Sequence, residues 1–242
     1  MPVDRETPFL AVLIDADNIP ARHAAAILDE IASFGEPSLR RVYGDWSSTS
    51  LTSWKDPARD LGLVMHQLSA NTKGKNASDI GLVIDAMDIL HAGKVDGFVL
   101  VSSDSDFTRL ASRIREDGLQ VIGIGEAKTP EALRKVCNRF ILIENIVGAP
   151  ETPQLVRAAS EPASGKEPPS KAIPMILAAM KRIDPEQDDY TLGHLGQVLN
   201  QLYPDFDPRT FGCAKLSDLM RRTGRFEVFA EPGRPHKVRD KA

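Results

Sequence analysis

Short, unbroken apolar runs separated by stretches of helical spacing constrain this chain more than any other feature. Phe9–Ile14 (FLAVLI), Leu39–Tyr43, Leu63–Gln67, Gly97–Val101 (GFVLV), Gln120–Ile124 (QVIGI) and Phe140–Ile143 read as strands. Ala21–Phe34, Ser78–His91, Asp106–Asp117 and Pro130–Asn138 carry helical spacing, the first stopped by Gly35 and the third by Gly118. A strand that is apolar at every position must be covered on both faces, and helices alternating with such strands supply the cover. The expected fold of residues 1–148 is therefore a doubly wound α/β domain on a parallel sheet. Its site belongs in the crevice beyond the carboxyl ends of the strands.

Ala149–Lys171 breaks the pattern. It holds Pro150, Pro153, Pro162, Pro168 and Pro169 and almost no large apolar residue. Such a segment buries too little surface to offset its ordering entropy, so a flexible linker is expected there. Ile173–Ile183, Thr191–Tyr203 and Lys215–Thr223 then read as helices, with Pro174 in a first turn and Thr191 as an N-cap. Phe226–Phe229 and His236–Val238 can pair as a hairpin around Pro232-Gly233. Helices followed by a hairpin predict a small winged-helix-like domain over 172–242. Leu192, Leu195, Val198, Leu199 and Leu202, with Phe206 and Phe211, are its expected core.

Composition narrows the setting. No apolar run approaches the roughly 18 residues that span a bilayer. Met1–Glu6 carries Asp4 and Glu6 and lacks the basic and apolar parts of a signal peptide. Cys137 and Cys213 stand far apart with no metal-ligand spacing, which predicts neither disulfide nor zinc, and a cytoplasmic setting. The net charge of −4 is unevenly spread. Residues 1–148 carry 16 Lys/Arg against 21 Asp/Glu, whereas 209–241 carry 9 against 4. A basic stripe at one end is the footprint of phosphate contacts, although a solvated helix face and a frayed tail would look the same.

Two strands end alike. The first runs into Asp15-Ala16-Asp17-Asn18 and the fourth into Ser102-Ser103-Asp104-Ser105-Asp106. Both acid pairs should lie on the same edge of a parallel sheet. On the helix from Ser78, steps of 100° gather Ile80, Val83, Ile84, Met87 and Leu90 into an apolar face that also contains Asp79; Asp85 and Asp88 fall on the polar side. A carboxylate turned coreward is costly unless paired or metal-bound. Convergent carboxylates without His or Cys suit Mg2+ or Mn2+, ions that activate a water and neutralise a phosphodiester. Each acid also has a plainer reading: Asp17, Asn18 or Asp106 can simply cap the following helix.

Three blocks carry a family likeness: VLIDADNIP (Val12–Pro20), KGKNASDIGLVIDAMDIL (Lys73–Leu90) and FVLVSSDSDFTRLASRIREDG (Phe98–Gly118). Together they resemble the NYN family of the PIN-like nuclease superfamily, in the branch that includes LabA-like bacterial proteins. The resemblance implies a PIN-like fold and metal-dependent RNA cleavage. It places Asp15, Asp79 and Asp104 at the metal-site positions, Asp106 at an accessory acid, Asn18 at the polar residue after the first acid, and Asp85 at a second helix acid. Ser103 departs from the pattern, since relatives often carry Gly there. Leu192–Arg222, with PDFDPRTFG followed by KLSDLM, resembles the LOTUS, or OST-HTH, domain, which implies RNA binding and, in some members, protein partners.

Lys73 and Lys75 could meet RNA at the mouth of the site, and Lys215, Arg221, Arg222 and Arg225 could contact phosphates in the second domain. Arg109 and Arg113 are better read as salt-bridging Glu116 or Asp117. The leading expectation is a metal-dependent endoribonuclease with its own RNA-holding module. Two alternatives stand beside it. One is an RNA-binding regulator without catalysis. The other is a phosphatase using Asp15-Ala16-Asp17 as haloacid dehalogenase-like hydrolases do; Asn18 and Asp79 do not suit that scheme.

Overall fold

The computed structural model describes residues 7–68, 77–147, 166–229 and 235–241, with 77–79 described by their backbone only. The chain divides into two compact units, Met1–Ala149 and Pro150–Ala242.

In the first unit six parallel strands form one sheet: β1 (Phe9–Asp15), β2 (Glu36–Gly44), β3 (Val64–Gln67), β4 (Gly97–Val101), β5 (Gln120–Gly125) and β6 (Arg139–Leu142). Their order is β3-β2-β1-β4-β5-β6. The chain thus builds outward from β1 in one direction, then returns to β4 and builds in the other. The crevice beyond the ends of β1 and β4 is the topological switch point, where open α/β sheets place their ligands. Helices α1 (Ala24–Ala32), α2 (Lys55–Asp60), α3 (Ala77–Ala92), α4 (Thr108–Glu116), α5 (Glu131–Val136) and α6 (Ile143–Val147) complete the unit.

The continuous apolar run of β1 has a direct cause. Leu10, Val12 and Ile14 point into one core with Ile27 and Ile31 of α1. Ala11 and Leu13 point into another with Leu82, Ala86 and Ile89 of α3 and Leu110 and Ile114 of α4. A strand between two helical layers has no solvent face on which a polar residue could alternate.

Three elements differ from the sequence expectation. Helix α2 and the 3-10 turn Thr49–Trp54 before it bury Leu51, Trp54 and Ala58 in a stretch to which the sequence pattern assigns no element. Pro57 fits there because it lies in the first turn, where its missing N–H costs nothing. The last strand stops at Leu142, and Ile143 opens α6. On α3 the wheel is rotated. Leu82, Ala86, Ile89 and Leu90 are buried, while Ile80 and Ile84, expected in the core, are each 58% exposed. Apolar residues lie almost all round this helix, so hydrophobicity alone does not fix its rotation.

The second unit contains α7 (Ile173–Ile183), β7 (Asp189–Thr191), α8 (Leu192–Leu202), α9 (Leu216–Arg222), β8 (Phe226–Phe229) and β9 (Lys237–Asp240). The expected hairpin forms as β8 and β9; its tip, Pro232-Gly233, lies outside the described residues. β7 joins the other edge of β9, giving an antiparallel sheet of order β7-β9-β8. Three residues are too few to show a period, which is why β7 was not expected. Thr191 precedes α8 but its side chain makes no capping bond. Phe206 and Phe211 are buried with ring centroids 6.0 Å apart. Leu195, Val198 and Leu199 are core, Leu192 packs partly against it, and Leu202 departs from expectation at 39% exposed, at the helix end. Residues 149–165 of the expected linker lie outside the described residues. Its last part is ordered against the domain: the Glu167 N–H donates to the Thr210 carbonyl at 2.9 Å, and Pro169–Ala172 makes a 3-10 turn into α7.

A glycine at the end of β5 guards the switch point. A Cβ at Gly125 would lie 2.7 Å from the Ser102 carbonyl oxygen and 2.7 Å from Thr129 Oγ1. The first of these is backbone and cannot rotate away. Gly125→Ala is expected to destabilise the first domain by about 1–3 kcal/mol. An unchanged urea midpoint for that domain's transition would refute this.

Candidate active site

Strand β1 delivers Asp15 to the sheet edge on the face shared by Ala11 and Leu13. The carboxylate is only 4% exposed. Its Oδ2 accepts from Asn18 Nδ2 at 2.6 Å and from Ser102 Oγ at 2.9 Å, and its Oδ1 accepts from the Asp17 N–H at 3.1 Å. Burial pushes its pKa up from 3.8; the bonds from Asn18 and Ser102 pull the other way, the charge of Asp17 adds to the rise, and the net shift is upward. Asn18 is thus committed to Asp15 and does not cap: the turn that follows starts from Pro20 with no side-chain cap.

Ser102 follows β4. Its hydroxyl donates to Asp15 and accepts from the Asp104 N–H at 3.0 Å, so one side chain ties the two acid-bearing strand ends across the switch point. Asp104, half-buried, caps the 3-10 turn Ser105–Phe107 by accepting from the Asp106 N–H at 2.9 Å. The capping role open to Asp106 therefore falls to Asp104, and Asp106 itself is exposed. Ser103, the departure from the family pattern, is buried and accepts from the Glu126 N–H at 2.9 Å, joining this loop to the end of β5.

Asp79 has its backbone in the first turn of α3; its side chain, and Lys73 and Lys75 entirely, lie outside the described residues. Among the described residues no group of three or more His, Cys, Asp or Glu is spaced to hold a metal ion. The donors that do meet at the switch point are all oxygen, and desolvation disfavours the charge on Asp15 in the absence of a cation. That donor chemistry fits a hard divalent ion. Ser102 has no mark in the sequence, because a lone hydroxyl at a strand end carries no periodic signal. Asp45, after β2, is a further acid that the sequence pattern does not single out. It accepts from Ser47 Oγ at 2.6 Å and Gln67 Nε2 at 2.9 Å, which hold its pKa down. Its charge, after desolvation, contributes to raising the pKa of Asp17. Asp15, Asp17 and Asp45 thus place three acids in electrostatic reach of one another, in the pairs Asp15–Asp17 and Asp17–Asp45, at the ends of β1 and β2.

Asp85 lies away from the polar side on which the wheel put it. One carboxylate oxygen accepts from Arg41 Nη1 and the other from the Tyr43 hydroxyl, both on β2, with His66 Nδ1 3.9 Å away. Burial alone would raise its pKa, but the bonds from Arg41 and Tyr43 and the charges of Arg41 and His66 outweigh it and hold Asp85 below 3.8. A depressed folded-state pKa contributes stability above the ordinary value that is lost as pH falls through the folded one. Asp85→Asn is expected to cost about 2 kcal/mol at pH 7, with parent and variant converging in acid below 3.8. Urea midpoints measured on both sides of that value test it; a gap that does not narrow in acid refutes the pairing.

The basic residues of the second unit divide into two groups. Arg225 grips Asp240 with Nε to Oδ1 at 2.9 Å and Nη2 to Oδ2 at 2.8 Å, fixing β9 to the start of β8. Arg222 donates to the Gly212 carbonyl at 2.8 Å, and Arg221 lies 3.5 Å from Asp218. Both remain exposed, as does Lys215 at the start of α9. In the first unit Arg113 pairs with Asp117, as its spacing suggested.

An α/β domain with acids at its switch point, followed by a winged-helix-like module, is the class the geometry defines. The NYN domain model matches residues 9–144, and the chain belongs to that family, a branch of the PIN-like nucleases. The OST-HTH/LOTUS domain model, that of an RNA-binding module, matches residues 166–238. This membership sets the phosphatase alternative aside. Among solved structures, a Vibrio parahaemolyticus protein of unknown function is similar at 20% identity and a TM-score of 0.50, over 59% of this chain and 96% of its own. An uncharacterized Nitrosomonas europaea protein, solved by NMR, shares 32% identity over 39% of this chain and 92% of its own, with a TM-score of 0.29. No curated protein matches the chain. Among the described residues no helix is long and apolar enough to cross a membrane.

Proposed function

We propose that this chain is a metal-dependent endoribonuclease that acts in the cytoplasm and holds RNA through its second domain. The observation that carries the reading is the buried, triply hydrogen-bonded carboxylate of Asp15, tied through Ser102 to Asp104 at the switch point of a NYN-family sheet. Asp15, Asp79 and Asp104, with Asp106 as accessory, would hold Mg2+ or Mn2+. Bound there, the ion supplies a nucleophilic water at neutral pH and neutralises the phosphodiester.

The chain's own residues do the rest. Asn18 and Ser102 occupy one oxygen of Asp15 and so fix the orientation of the carboxylate. The Asp104 cap fixes the other strand end. Pre-set ligands cost no reorganisation when substrate arrives. Lys73 and Lys75 would meet the RNA backbone near the site. Lys215, Arg221 and Arg222 would contact phosphates on the second domain. Arg225, proposed from the sequence for the same task, has its fork taken up by Asp240 and would contribute at most a shared charge. Tethering raises the local RNA concentration at the acidic edge. The second domain could also take a protein partner.

End-labelled single-stranded RNA incubated with Mn2+, Mg2+ or EDTA tests the reading, with Asp15→Asn beside the parent. Cleavage should require metal and fall at least about 100-fold in the variant. Mn2+ at 100 times its Kd should stabilise the parent by about 2.7 kcal/mol and leave Asp15→Asn unmoved. Intact RNA in every lane with a retained gel shift would instead make the chain an RNA-binding regulator. For the second domain, Lys215→Ala should flatten the dependence of log K on log salt by about 0.7–0.9. A slope equal to the parent's would remove Lys215 from the RNA surface.

A further inference from the structure

The second acid of α3, Asp85, is the strongest titratable cluster outside the switch point, and its surroundings differ from those of a ligand. Both of its oxygens are engaged by donors on β2, one by a guanidinium and one by a phenol. Arg41 and Tyr43 are two residues apart on one strand and so lie on the same face of the sheet. A carboxylate held at two points by a single rigid strand fixes both the rotation of its helix and its position along the strand. Apolar packing alone leaves this choice open, because apolar residues lie almost all round α3 and such contacts have no direction. Ile80 and Ile84 are exposed although apolar, and the side of α3 that meets the sheet is the one that carries Asp85 together with Leu82, Ala86 and Ile89.

The same strand reaches the site. Tyr43 is the register partner of Asp15, and its carbonyl accepts from the Ala16 N–H at 2.9 Å. Asp79 lies six residues before Asp85, about 9 Å along the helix axis. A continuous path thus runs from Asp15 through the β1–β2 pairing to Tyr43, to Asp85, and along α3 to the backbone of Asp79. We infer that Asp85, clamped by Arg41 and Tyr43, is a positioning residue that sets the first turn of α3 against the end of β1, and is not itself a metal ligand. This rests on the metal-site reading above.

The decisive comparison uses variants that alter the clamp without touching any proposed ligand. Mn2+ binding to the full chain is followed by titration calorimetry, well below the melting transition, for the parent, Asp15→Asn, Asp85→Asn, Arg41→Met and Tyr43→Phe. Arg41→Met and Tyr43→Phe should each weaken Mn2+ binding about 10–100-fold, as supporting residues of metal sites do, with the stoichiometry unchanged. Asp85→Asn should fall in the same range, and adding Tyr43→Phe to it should change little further, because the two act as one unit. Turnover should drop with little change in KM. Tyr43→Phe removes one oxygen atom only and keeps the test open if Arg41→Met does not fold. Parent-like binding in both β2 variants beside complete loss in Asp85→Asn would make Asp85 a ligand and overturn the inference. Parent-like binding in all three would reduce the clamp to a stability element and also overturn it. Failure of the metal-site reading looks different: the parent would bind no Mn2+, or Asp15→Asn would bind as the parent does.

Discussion

A carboxylate at the end of a strand that is buried on both faces is a liability, and the first domain is organised around managing it. Asp15 cannot be moved outward without breaking the register of β1 with β2 and β4, which places it beside Tyr43 and just before the loop carrying Ser102. Its desolvation is offset by three hydrogen bonds from three different places: the turn that follows it, the backbone of that turn, and the neighbouring strand end. None of these donors carries a full charge. The offset is therefore incomplete, and the group keeps a raised pKa. On the proposed reading, an arrangement that orients a carboxylate without neutralising it is where a cation would bind. The close approach of β5 through Gly125 and the bond from Glu126 to Ser103 hold the second loop to the same edge.

Asp15 at the end of β1 and Asp85 on α3 have opposite electrostatic settings. Asp15 meets neutral donors, and its charged form is disfavoured. Asp85 meets a guanidinium and a phenol, and its charged form is favoured despite burial. The contrast separates a carboxylate whose charge meets no cationic side chain from one whose charge a guanidinium already meets.

Local periodicity carried much of the fold. β1, β4 and β5 were legible because a strand covered on both faces has no polar positions to confuse the reading. Asp15 and Asp104 were legible because they terminate such strands. The rotation of α3 was not, since it depends on Arg41 and Tyr43, more than forty positions earlier in the chain, and a helical wheel contains no information about partners. Ser102 was hidden for a related reason: its importance lies in joining two strand ends that are neighbours only in the folded sheet. α2 carries no periodic signal, because it is six residues long and holds Pro57, although the neighbouring Trp54 and Leu51 are apolar enough to need a core.

On the proposed reading, charge links the tasks of the two halves of the chain. An edge bearing Asp15, Asp17, Asp45, Asp104 and Asp106 repels a polyanion, and a divalent ion relieves that repulsion only locally. RNA would have to be held by something else. The basic excess after residue 208 is smaller than the sequence count suggests, because Arg209 and Arg239 are paired with Asp207 and Asp189, acids that lie before that stretch. Lys215, Arg221 and Arg222 around α9 are exposed and stand as the proposed phosphate contacts. A few such contacts bind weakly on their own; on the proposed reading, tethering would raise the local concentration of RNA for the first domain. On the proposed reading, then, the second domain offsets an electrostatic cost that the carboxylates of the first impose.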